Sequence, residues 1–339
     1  MRSDEVKILR KFSALAVVAA LALTGCSGSD KGDDAGSGSA AAGSGSFPQT
    51  IETAFGDVTI ESQPKRVVAL GWGDAEVALE LGVQPVGASD WLEFGGDGVG
   101  PWAEDAYDES PTIIDTLKPN YEEIGKLEPD LILDVKSSGD KKRYEKLKQI
   151  TPNVIAIPEG SENYLTEMDQ QVDSISKALG VPDKGEELLK NVDDAYAKVA
   201  DEHPEWKAKT VTAATKTSEG WGAYIEGGSR LDTLKKLGLK QNPTIAGLPV
   251  DESGFSVKIS SENLDQMEAD LIVAFPIYID TKEITDDSQW KKLKAVKEGH
   301  TVVIDGDVSS AYSLGTPGAS MYALDKLTPM LEKALPAEG

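Results

Sequence analysis

"NYEEIGKLEPDLIL", residues 120–133, has a counterpart further along the chain in "SSENLDQMEADLIV", residues 260–273. Aligned without gaps, the two share Glu122/Glu262, Glu128/Glu268, Asp130/Asp270, Leu131/Leu271 and Ile132/Ile272, and most other positions agree in polarity. Two more pairs keep the same order. "ALELGV" (78–83) matches "LKKLGL" (234–239), and "YEKLKQI" (144–150) matches "WKKLKAV" (290–296). The first of these pairs follows an apolar run in each case, "RVVAL" (66–70) and "TVTAA" (210–214). Three ordered pairs in one chain predict two lobes built alike.

Each unit alternates short apolar runs with amphipathic stretches. Strands are expected at 67–70, 85–88, 131–133 and 154–157 in the first lobe, and at 210–214, 271–275 and 301–304 in the second. These runs are apolar throughout and separated by helical patterns, as in mainly parallel sheets covered on both faces. Between the lobes, Leu188, Leu189, Val192, Ala195, Tyr196 and Val199 form one apolar stripe that ends at His203-Pro204. Proline disfavours helix in the residue before it. A helix over 183–202 would span ~30 Å and act as a stiff connector. The fold class is α/β: two similar lobes with mainly parallel sheets, joined by one long α-helix. The expected divisions are a signal segment at 1–25, a Gly/Ser-rich linker at 26–46, lobes at 47–182 and 206–339, and the connecting helix at 183–205.

The beginning of the chain carries an address. Lys7, Arg10 and Lys11 precede a short apolar run from Ala14 to Leu23, and Cys26 is the only cysteine. The run is shorter than the ~20 apolar residues a bilayer requires. "LTGC" at 23–26 resembles the lipobox of bacterial lipoproteins, which implies cleavage before Cys26 and a lipid on its sulfur. The sequence after it, "SGSDKGDDAGSGSAAAGSGS", offers nothing to bury and reads as a leash.

The chain has 34 basic and 58 acidic residues, a net charge of −24; residues 1–25 hold four of the basic and two of the acidic ones, so the remainder is more acidic still, at −26. Nucleic-acid binding needs basic patches and is not expected. Only His203 and His300 are histidines, too few for a Zn²⁺ or Mn²⁺ receptor site built on histidine. A hydrolase would need a nucleophile–base pair, and no G-x-S-x-G elbow is present. "GGDGVG" (95–100) does not follow a strand and open a helix, so it is not read as a phosphate loop.

"PKRVVAL" (64–70), "LGVQPVG" (81–87), "PNYEEIGKLEPDLIL" (119–133) and "WKKLKAVKEG" (290–299), together with the lipobox and leash, resemble the iron–siderophore substrate-binding proteins of ABC importers. The resemblance runs from about Phe47 to Pro336. It implies an extracytoplasmic, lipid-anchored monomer at the cell membrane. Such a protein binds a ferric siderophore and delivers it to a permease with its ATPase, without being an enzyme and without a cofactor or directly bound metal of its own. Cobalamin and haem binders share the architecture and are the alternative.

In parallel α/β sheets ligands bind beyond the carboxyl ends of strands. Those positions hold Trp72, Trp91, Trp102, Lys136, Trp221, Tyr224, Arg230, Tyr278 and Tyr312. The pattern suits a broad, partly apolar ligand, with Trp72 and Trp221 expected to share one hollow. The resemblance adds Phe255. Tyr278 and Tyr312 would be the candidate axial ligands for haem. A tris-catecholate calls for many cations, yet the folded region has three arginines, Arg66, Arg143 and Arg230; a neutral or cationic ferric hydroxamate is favoured. Family members with hydroxamate ligands often place an arginine before the "PN" turn, but 115–118 here reads "DTLK", so that contact is not carried over. The family's permease-docking carboxylates correspond to Glu262 in the second lobe and, in the first, to Glu145 by the family pattern or Glu122 by the internal repeat.

Overall fold

A computed structural model describes residues 46–161, 163–251 and 254–336. The signal segment, Cys26 and residues 27–45 lie outside the described residues. The first lobe opens with an antiparallel hairpin, β1 (Gln49–Ile51) and β2 (Val58–Ile60). β3 (Val67–Ala69), α1 (Asp74–Glu80), β4 (Gly87–Ser89), β5 (Thr112–Ile114), α2 (Tyr121–Lys126), β6 (Leu131–Leu133), α3 (Lys141–Leu147) and β7 (Val154–Ile155) follow. The five later strands form a wholly parallel sheet in the order β5-β4-β3-β6-β7. β3, β6 and β7 are buried along their whole length, as expected for strands covered on both faces.

α4 (Met168–Ala178) leads to α5 (Pro182–Glu202), a 21-residue helix about 30 Å long. Proline stands at its first position, where no amide hydrogen is missed. Its apolar stripe serves two cores. Leu188 and Leu189 pack on the first lobe's interior, while Val192 and Tyr196 are buried in the second lobe's. One amphipathic face therefore bridges both lobes.

The second lobe comprises β8 (Thr210–Thr217), β9 (Gly220–Tyr224), α6 (Ser229–Lys236), β10 (Lys240–Gln241), α7 (Pro243–Ala246), β11 (Ser256–Ile259), β12 (Leu271–Pro276), α8 (Lys282–Thr285), α9 (Lys294–Glu298), β13 (Thr301–Val303), α10 (Gly306–Leu314) and α11 (Pro317–Ala334). Its sheet runs β11-β9-β8-β12-β13, with β10 paired to the start of β8. This sheet is mixed: β10–β8, β8–β12 and β12–β13 are parallel, while β8–β9 and β9–β11 add an antiparallel edge to the mainly parallel pairing. The strand expected to end at Ala214 continues to Thr217 and turns in a tight hairpin, closed at the Thr217–Gly220 pair.

The internal repeat has a physical basis. Asp130 accepts hydrogen bonds from the Lys65 and Arg66 amides, each at 2.9 Å, at the start of β3. Asp270 accepts from the Thr210 amide at 2.7 Å and the Thr210 hydroxyl at 2.8 Å, at the start of β8. Burial opposes ionisation of Asp270, but the Thr210 hydrogen bonds outweigh it and hold the carboxyl below its ordinary value. In each lobe the repeated aspartate pins the start of the neighbouring strand.

Candidate functional site

β3 and β6 are adjacent parallel strands, so the loops beyond their carboxyl ends meet. Asp74 joins them: its carboxylate accepts from the Val135 amide at 2.7 Å and from Gln171 Nε2 at 2.7 Å. Gln171 also donates to the Trp72 carbonyl at 2.8 Å, and the Trp72 amide donates to the Lys136 carbonyl at 2.9 Å. Burial pushes Asp74 up to about 6 against these hydrogen bonds. Gly71 is required here, since a Cβ would lie 2.3 Å from Asp74 Oδ2 and 2.7 Å from the Lys136 nitrogen. This knot presents Trp72 and Lys136 to the space between the lobes.

From the other side, α6 presents Arg230 in its first turn, and β9 presents Tyr224. The Arg230 guanidinium lies 4.5 Å from the Tyr224 ring centroid. Phe255 lies 6.0 Å from Tyr224 in a near-parallel stack. Together these residues wall a cavity of about 290 Å³ that also touches α5 at Leu189, Asp193 and Tyr196. Trp72, Lys136, Tyr224, Arg230 and Phe255 are thus brought together from the two lobes.

Two donors in this cavity lack partners among the described residues. Trp72 Nε1 and Arg230 Nε are buried without a hydrogen bond. Lys136 is only 8% exposed, and its ammonium reaches the Leu314 carbonyl at 3.4 Å. Burial, then the nearby Arg230, lower Lys136 to about 8, with Asp74 opposing. Among the described residues neither cation forms an ion pair. Arg143 differs: its guanidinium grips Asp134 at 2.8 and 3.0 Å and donates to the Thr116 carbonyl at 2.9 Å, so it is structural. Arg66 donates to the Leu127 carbonyl at 2.7 Å, outside the cavity.

Five expected ligand contacts lie elsewhere. Trp91 stands behind Trp72, stacked at 4.0 Å, and its Nε1 is also unpartnered. Trp102 donates to Glu76 at 2.8 Å and packs on Tyr322. Trp221 is 3% exposed, stacked on Trp290 and bonded to Asp287 at 3.2 Å within the second lobe's core. The expected hollow shared by Trp72 and Trp221 is therefore corrected: the cavity is shared, but Tyr224 and Phe255 supply its far wall. Tyr312 is 1% exposed, and its hydroxyl donates to the Arg230 carbonyl. It holds Arg230 from behind instead of facing a ligand. Tyr278 is 89% exposed, with a left-handed backbone φ of 54°, and does not line the cavity. The sequence reading also missed Tyr164, which lines the cavity and stacks on Trp72 at 4.0 Å; it lies in a loop with no strand end to mark it.

Glu122, Glu145 and Glu262 are all solvent-exposed, on α2, on α3 and in the turn of helix Ser261–Met267 that precedes β12. Among the described residues no group of three or more His, Cys, Asp or Glu is placed to hold a metal ion, and no helix is long and apolar enough to cross a membrane.

Two lobes, a bridging helix and one cavity walled by both define a substrate-binding protein. The chain belongs to the periplasmic binding protein family, whose model matches residues 67–308. It is 28% identical to the probable siderophore-binding lipoprotein YfiY of Bacillus subtilis, over 92% of this chain and 94% of that protein. Among solved structures, PiaA of Streptococcus pneumoniae in complex with ferrichrome superposes with a TM-score of 0.72 at 28% identity, covering 84% of this chain and 98% of that one. SirA of Staphylococcus aureus complexed with staphyloferrin B gives 0.70 at 27%, over 84% and 98%.

Proposed function

We propose that this chain is a lipid-anchored, extracytoplasmic receptor that captures a ferric siderophore, with hydroxamates favoured, and presents it to an ABC permease. The observation that carries the reading is the interlobe cavity, where Trp72, Tyr224 and Phe255 meet two cations, Lys136 and Arg230, and where Trp72 Nε1 and Arg230 Nε have no partner among the described residues. Aromatic faces suit the organic shell of a chelate. Cationic donors suit the oxygens that surround its iron. Two cations match a neutral or weakly anionic complex better than a tris-catecholate of high charge. The relatives above, one of them bound to ferrichrome, support the ligand class. The protein performs no chemistry on its ligand; it binds, orients and releases. Haem loses support because Tyr278 points to solvent and Tyr312 is sealed in the core.

Docking is assigned to exposed carboxylates, Glu262 in the second lobe and Glu122 or Glu145 in the first, because carboxylate–arginine pairs fix orientation. The test is a tryptophan-fluorescence titration of the purified protein with ferrichrome, a ferric tris-catecholate, haem and cobalamin. Saturable quenching by ferrichrome is expected, and flat curves for all four ligands contradict the reading. Glu262→Ala should leave that titration unchanged and slow uptake in cells; equal loss of both removes the docking role.

A further inference from the structure

α5 is not the sole link between the lobes. α1 of the first lobe carries Glu76 and Glu80 one turn apart, and both reach the start of α11 in the second. Glu76 Oε2 accepts from the Thr316 hydroxyl at 2.8 Å and from Trp102 Nε1 at 2.8 Å, while Oε1 accepts from the Gly100 amide at 3.1 Å. Glu80 Oε1 accepts from the Gly318 amide at 3.0 Å. Thr316 is fully buried and caps α11 through the Ala319 amide at 3.4 Å. The Trp102 ring lies 5.3 Å from Tyr322 on α11. The backbones approach closely: Gly73 has a φ of 76°, and a Cβ there would stand 2.4 Å from the Thr316 methyl.

We propose that Glu76 and Glu80 are positioning residues that clasp the start of α11, fix the angle between the lobes, and make that angle sensitive to protons. The inference goes beyond the ligand reading and does not depend on it. Its basis is a carboxylate junction, with Glu76 buried and Glu80 half-buried, in which neither carboxylate has an ion-pair partner among the described residues. On α1 itself the other charged group is Asp74. The Gly100–Trp102 segment offers neutral donors, with Asp90 facing Glu76. The first turns of α11, residues 317–322, hold no charged side chain. α4 contributes Gln171, which is committed to Asp74. Lys184 of α5 donates to the Leu81 carbonyl at the far end of α1, at 3.4 Å. Lys136 donates to the Leu314 carbonyl.

The direction follows from burial. Burial pushes Glu80 up to about 7; the Gly318 amide opposes this and Glu76 adds to it. Burial also raises Glu76. Drawn away from α11, Glu80 would regain water and return toward its ordinary value of 4.5. The joined arrangement therefore holds the proton more tightly than the parted one. Acid favours the clasp, and raising the pH through 7 loosens it.

The experiment is an interlobe distance measured by pulsed electron resonance, with spin labels at Lys126→Cys and Glu283→Cys in the full chain carrying Cys26→Ser. No ligand is needed. A narrow distribution is expected at pH 6, with a displaced component whose share rises at least threefold at pH 8. Glu80→Gln keeps a carbonyl acceptor for the Gly318 amide and should retain the pH 6 distribution at both values. Glu80→Ala should show the displaced component at both. A distribution indifferent to pH, an equal pH response in Glu80→Gln, or a narrow distribution at both pH values in Glu80→Ala each overturns the proposal.

Discussion

Trp221 and Tyr224 are three residues apart on β9 and lie on opposite faces of the sheet. Successive side chains on a strand alternate, so Trp221 joins Ala223 in the core beside Trp290, while Tyr224 turns to the face that meets Arg230. In sequence the two look alike, as aromatic residues beyond an apolar run. Only the hairpin assigns their faces, and "KTSEGWGAY" at 216–224 reads as a loop when β8 is ended at Ala214. Trp72 was legible for the opposite reason: it sits between Gly71 and Gly73 directly after a strand, where crowding forbids side chains on both neighbours. The two positions should separate experimentally. Trp221→Ala should cost about 3–5 kcal/mol in denaturant unfolding, and the surviving folded protein should still bind ferrichrome. Arg230→Ala should weaken calorimetric ferrichrome binding by about tenfold to a hundredfold, the worth of a lost charged hydrogen bond, with little change in the unfolding midpoint. The reverse pattern would move the site to the Trp221 face.

At the scale of elements, the repeat was readable because it encodes a shared job. Asp130 and Asp270 each pin the strand beside their own. The central parallel strands such as β3, β6 and β12 were readable because burial on both faces leaves continuous apolar runs; parallel β5, which is half-exposed, and the two-residue β10 were not. Antiparallel β9 and β11 were not readable either, since β9 carries three small residues and β11 alternates buried and more exposed positions in place of a continuous apolar run. Removing either pin should act alike: Asp130→Ala and Asp270→Ala should each cost about 1 kcal/mol, the typical value of a hydrogen bond, measured by urea unfolding at pH 7. For Asp270 the sign with pH is set by its lowered value. Its contribution is present above the unfolded carboxyl's titration near 3.8 and is lost as pH falls through the lower folded value. The gap between Asp270→Ala and the unsubstituted protein should therefore close below pH 4. A gap that widens in acid would contradict the pinning role.

Taken whole, the molecule holds a cavity between two lobes linked by α5 and by the Glu76–Thr316 and Glu80–Gly318 contacts. A net charge of −24 contrasts with a cavity whose two cations, neither in an ion pair among the described residues, come from different lobes, Lys136 from the first and Arg230 from the second. A single chelate touching both would tie the lobes together. The most direct test is an iron-edge anomalous difference map from crystals of the protein grown with ferrichrome. The account predicts one iron peak inside the interlobe cavity, between Trp72 and Tyr224, with chelate oxygens on the Lys136 and Arg230 side chains. An iron peak outside that cavity, or a bound chelate touching only one lobe, would contradict it.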